Sequence, residues 1–211
     1  MGRPRHYAFT PESAASNSIA ASQAVSGAAN LALKSTYTDK PFPSGMAWNI
    51  TITSSANISA VNVTIVYLDA QGNQQTVTVA GPNTTTKNAG IYASQVLSVS
   101  TSATASNISI GHTVVGYGPW KVLPTRDVSS VNSCSVGIDG TASLTIEGTF
   151  ANIADNSIFA GTFDYFNATS INAATASAFD QLDQRLIGCR LKVNSWSSGG
   201  IRFDLSVSAK G

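Results

Sequence analysis

Hydrophobic and polar positions alternate singly through much of the first half of the chain. In residues 61–67, Val61, Val63, Ile65 and Tyr67 share one face, the period of two that marks a half-buried strand. Residues 48–53, 75–79, 91–93, 96–100 and 107–111 read as further strands, and 84–88 as a polar loop. Gly72-Asn73 supplies the positive φ angles of a hairpin turn, so that Val77 and Val79 return on the core face behind an outer face of hydroxyls and amides.

The second half carries the same signal. Residues 133–138 and 142–150 are expected as separate strands, with Leu144 and Ile146 inward and Thr145 and Glu147 outward. Residues 189–196 and 201–207 are expected to form a hairpin around Ser197-Ser198-Gly199-Gly200, with Arg190, Lys192, Arg202 and Asp204 on solvent faces. One short helix is predicted over 175–187, where Phe179, Leu182 and Leu186 fall at i, i+3 and i+7 and Gly188 stands at the C′ position. Gly116, Gly118 and Pro119 punctuate the chain between the halves.

The first residues lack either period. Residues 1–30 are expected as an extended arm, since so little apolar surface cannot offset the entropy of ordering; the arm is either disordered or held by a neighbouring chain. The fold expectation is therefore all-β: that arm, then two antiparallel β-sandwich or jelly-roll-like modules at 31–118 and 119–211, the second with the short helix. A chain of 211 residues suffices for two such cores.

Composition narrows the function. Charged residues are 11% of the chain, against about 25% in ordinary soluble domains, so Ser, Thr, Asn and Gln must cover the surface. A net charge of +1 gives no field for a phosphate backbone or an anionic bilayer, and no apolar run approaches the roughly 20 residues of a spanning helix. Neither nucleic acid nor membrane is expected as a partner. The N-terminal residues have a basic start without an apolar stretch behind it, so no secretory signal is expected.

Candidate chemistry is sparse. His6 and His112 are the two histidines, neither spaced for a triad or a zinc site, and no phosphate-cradling glycine motif occurs. Cys134 and Cys189 stand outside any CxxC spacing and are read as two buried thiols or a single bridge. No catalytic residue, cofactor or metal is expected. Arg and aromatic residues dominate interface energy, which singles out Arg3, Arg5, His6, Tyr7 and Phe9 for assembly contacts, with Trp120 and Trp196 as possible aromatic contacts.

The run "ITITSSANISAVNVTIVYLDAQGNQQTVTVAGPN", followed by "IYASQVLSVSTSATASNISIG", resembles a recurrent module of tailed-bacteriophage virion proteins. "SLTIEGTF" and the ending "LIGCRLKVNSWSSGGIRFDLSVS" are similar to a second module common on phage particles. The resemblance implies a non-enzymatic virion component, assembled in the host cytoplasm and self-associating: a capsid decoration or cement protein that contacts the major capsid protein or other virion subunits. Within that resemblance the alternative is a neck, tail or fibre component; a rival of a different class, resting on the tryptophans, is a host-surface carbohydrate-binding module.

Overall fold

The computed structural model describes residues 5–34, 42–123, 130–150, 153, 165–167, 171–182 and 186–209. Two compact units emerge, one formed by Met1–Pro11 with Tyr117–Gly211, the other by Glu12–Gly116. The chain opens in the first unit with β1 (Arg5–Phe9). It then builds the second with β2 (Ala15–Val25), β3 (Ala29–Asn30), β4 (Ala47–Ser54), β5 (Asn62–Leu68), β6 (Gln74–Ala80), β7 (Thr86–Ala93), β8 (Gln95–Thr101) and β9 (Ala105–Tyr117). It completes the first with β10 (Lys121–Val122), β11 (Ser130–Thr149), β12 (Tyr165–Asn167), β13 (Ala178–Gln181) and β14 (Gly188–Ala209). All described secondary structure is β.

The unit Glu12–Gly116 holds two groups of paired strands. β2 lies on β9, which neighbours β4 and then β7, while β3, β8, β5 and β6 form a separate four-stranded sheet in that order. Both contribute to the core: Ile19, Trp48, Ile50, Ile52, Ile108 and Ile110 from the first and Val63, Ile65, Val96 and Val99 from the second are all fully buried. The alternation read in 61–67 is the cause, with Val63 and Ile65 enclosed and Thr64 and Val66 half-buried on the other face.

The hairpin that joins β5 to β6 is built by Asp69. Its Oδ1 accepts the backbone N–H groups of Gln71 (2.8 Å) and Asn73 (2.9 Å), and Gly72 occupies φ +85°. Seven residue pairs then run without a register shift, from Asn62↔Ala80 to Leu68↔Gln74. Thr86–Lys87–Asn88 belong to β7 rather than to a polar loop: Thr86, Lys87 and Asn88 pair with Thr53, Ile52 and Thr51, so ladder bonds outweigh the polar composition.

The other unit is organised on β11 and β14, which pair antiparallel from Ser130↔Ala209 to Thr149↔Gly188. β13 and β12 add to opposite ends of β11, and β1 and β10 to opposite ends of β14. The sheet curls. Cys134 and Cys189 stand near opposite ends of the ribbon, in register with Leu205 and Gly148.

Three expectations are corrected here. Residues 133–138 and 142–149, expected in separate strands, are parts of one strand, and the expected hairpin at 197–200 is the middle of another. Gly140 and Gly199 sit opposite each other at φ +127° and +84°, and a Cβ at Gly199 would overlap the carbonyl of Asp139. These glycines serve close approach of two backbones, with register shifts just beyond them, and not chain reversal. The helix expected over 175–187 is absent among the described residues: Ala178–Gln181 pairs with β11, Phe179 faces solvent, and Leu182 and Leu186 are buried. Residues 183–185 lie outside the described residues. A free strand edge on β11 rewards extension more than the 3.6-residue spacing rewards a helix.

Within residues 1–30, expected as an extended arm, Arg5–Phe9, Ala15–Val25 and Ala29–Asn30 are strands paired within the chain. β1 runs from Arg5↔Leu205 to Phe9↔Ile201 on β14, and β2 pairs with β9 and buries Ile19 and Ala20 completely. Of residues 29–34, Ala29–Asn30 form a strand.

Candidate functional site

β1 places its side chains on the β14 surface in two rows. Tyr7 stacks on Phe203, with ring centroids 6.1 Å apart, and the Lys121 ammonium lies 4.2 Å from the Tyr7 ring centre. His6 stands in register with Asp204 and contacts its carboxylate through Nδ1. The same carboxylate accepts from Arg202 Nε (3.0 Å) and from the Ser135 hydroxyl (3.2 Å).

Histidine, aspartate and serine therefore meet on three adjacent strands, although sequence spacing kept them apart. Their order is not that of a nucleophilic triad: Asp204 sits between the other two, and the Ser135 hydroxyl donates to the carboxylate rather than to an imidazole nitrogen. The grouping follows from register alone, because Asp204 is the cross-strand partner of both His6 and Ser135.

A second cluster forms at the other end of β11. Glu147 is 2% exposed, and its Oε2 accepts from Arg190 Nε (2.8 Å) and Nη2 (2.7 Å), while Lys192 Nζ lies 3.7 Å from Oε1. The Arg190 guanidinium lies 4.0 Å from the Tyr117 ring centre and 4.5 Å from that of Trp120. The outward reading of Thr145 and Glu147 is corrected by this burial. Thr145, Glu147 and Thr149 are enclosed together with Leu144 and Ile146, so this part of β11 is covered on both faces. Thr145 Oγ1 accepts from Asn194 Nδ2 (2.8 Å) and the Ala173 amide (2.9 Å), which satisfies the buried hydroxyl.

The residues singled out from sequence are distributed as follows. Arg5 and His6 are exposed on β1, Tyr7 and Phe9 are half-buried against β14, and Arg3 lies outside the described residues. Trp120 is buried with Arg190 over its ring, leaving little face for a sugar; Trp196 is half-buried, its indole N–H donating to the Gly199 carbonyl (2.9 Å). Phe9, Thr10, Gly137, Asp139, Ser177 and Arg202 line an open groove of about 520 Å³ whose charged groups are one carboxylate and one guanidinium.

The cysteines are free and buried. Burial pushes the Cys134 thiol up to about 12 and the Cys189 thiol higher still, which favours the protonated thiol over the thiolate near neutral pH. In the other unit His112 is enclosed by Phe42, edge-on at 5.0 Å, and Trp48 at 6.2 Å, with Nδ1–H directed at the Thr113 carbonyl (3.0 Å). Burial lowers its pKa, only partly opposed by that hydrogen bond and by Glu12. Among the described residues no group of three or more His, Cys, Asp or Glu is placed to hold a metal ion, and no helix is long and apolar enough to cross a membrane.

Comparison with family models, with curated proteins and with solved structures returns no match.

Proposed function

We propose that this chain is a non-enzymatic structural component of a tailed-phage particle, most simply a decoration or cement protein that packs against capsid subunits. One observation carries the reading: the groups that elsewhere perform chemistry are here engaged in holding strands together. Glu147 and Arg190 bridge β11 to β14, Asp204 is shared by β1, β14 and β11, and both thiols are buried. The modules that resemble virion proteins supply the particle, and the charge-poor surface suits close packing of many copies.

Quantitative mass spectrometry of purified particles tests the proposal. Hundreds of copies per particle support a capsid-wide decoration, a few to a few dozen place the chain in the neck, tail or fibres, and absence from the particle refutes the proposal.

A further inference from the structure

β6 is an open strand edge whose own residues include none of the usual guards. Among the described residues it pairs only with β5, at the end of its sheet. It carries no proline and no charge, and from Ala70 to Thr86 the chain has no Asp, Glu, Lys or Arg at all. Its seven pairs with β5 lack a bulge, and the Asp69-capped turn holds its start. Natural edges are normally blunted by charges, prolines or bulges, because unpaired N–H and C=O groups template the addition of another strand.

The direction of those groups follows from two hydrogen bonds. The Gly81 N–H donates to the Val61 carbonyl at 2.8 Å, so the odd-numbered residues of β6 turn their backbone groups toward β5. The even-numbered ones, Gln74, Thr76, Thr78 and Ala80, turn theirs outward, and Lys87 Nζ indeed reaches the Ala80 carbonyl from outside at 3.0 Å. The side chains of these four residues are exposed.

We propose that β6 docks against β6 of a second copy of this chain, antiparallel about a two-fold axis at Val77. That register sets Thr76 opposite Thr78 and Gln74 opposite Ala80 in both directions, and it is the one that pairs all four outward residues. It joins two four-stranded sheets into one of eight. Identical strands without charge are self-complementary in this arrangement, as an isologous contact requires. The exposed face is suited to it, since Thr78 already exchanges a hydroxyl hydrogen bond with Thr64 across β5 and β6 at 2.9 Å. Lys87 obstructs one end of the edge, and its flexible stem lets it leave the Ala80 carbonyl.

Sedimentation velocity of the full chain over a concentration series tests the pairing, together with amide hydrogen exchange. The expected result is a reversible dimer in which the Thr76 and Thr78 amides slow as concentration rises, while those of Gln75 and Val77 are protected throughout. The Thr76→Lys/Thr78→Lys chain sets lysine opposite lysine and weakens the dimer on the order of tenfold or more, as does Thr76→Glu/Thr78→Glu. An equimolar mixture of the two restores a dimer containing one of each. A wild-type chain that stays monomeric to about 1 mM, a dimer indifferent to both double substitutions, or concentration-independent exchange at Thr76 and Thr78 overturns the proposal. The exchange measurement needs only the wild-type chain, so a variant that fails to fold leaves the test intact. Protection of β6 that arises only when another virion protein is added also overturns it, in favour of a heterologous partner.

Discussion

Replacing Glu147 by leucine isolates the buried charge cluster. The carboxylate is 2% exposed and accepts two hydrogen bonds from Arg190, whose side chain is 15% exposed; Lys192, at 28%, reaches water more easily. Removing one partner of a buried pair costs about 3–5 kcal/mol, because the remaining ion stays desolvated without compensation. Arg190 retains the faces of Tyr117 and Trp120, which together return about 1–2 kcal/mol, and Lys192 can turn to solvent. The expected net loss is therefore about 1–4 kcal/mol. Glu147→Leu/Arg190→Met replaces both ions with apolar groups and is expected to lie within about 1 kcal/mol of wild type, since such exchanges are often neutral. Urea unfolding followed by tryptophan fluorescence measures both, Trp120 and Trp196 reporting on this unit and Trp48 on the other. A Glu147→Leu loss below about 0.5 kcal/mol, or a double variant whose loss is the sum of the two single ones, would refute the claim that the pair is buried and coupled.

Other consequences are equally direct. Gly199→Ala should destabilise by more than about 2 kcal/mol in thermal unfolding, because it adds a Cβ against the Asp139 carbonyl at φ +84°; Gly72→Ala, also at positive φ but with open space around it, should cost about 1 kcal/mol. His112 has a pKa below its ordinary 6.5 in the folded chain, so in the window from that lowered value up to 6.5 the unfolded chain binds a proton that the folded chain does not. Stability of the Glu12–Gly116 unit should accordingly fall as pH drops through 6.5, and the slope should be shallower in His112→Phe, read from urea midpoints between pH 5 and 8. Iodoacetamide at neutral pH should leave both Cys134 and Cys189 unmodified in the native protein and alkylate both after denaturation, as mass spectrometry will show. Rapid native labelling would mean that the thiols are not enclosed.

Residue alternation alone was enough for the class of the fold and for most strands of the unit Glu12–Gly116. Val63 and Ile65 alternate with polar residues on a strand whose faces differ, and the Gly72-Asn73 turn is a local backbone requirement, so both are written where they act. The stretch that becomes β11 and β14 was legible as strand but not as two continuous ones. Gly140 and Gly199 carry the same letters whether they reverse the chain or let two backbones meet, and only their facing positions decide. The cysteines were legible as buried thiols or a bridge, and the fold selects free thiols. The predicted helix failed because Phe179, Leu182 and Leu186 have helical spacing while the edge of β11 offers ladder bonds. The clusters around Asp204 and Glu147 were beyond reach of sequence, since each joins residues brought together by register across strands distant in the chain: His6 to Asp204, and Glu147 to Arg190 and Trp120. The tertiary structure likewise decided that β1 lies on β14, because a five-residue strand with little apolar surface has no stability of its own and takes its place only from the edge that receives it.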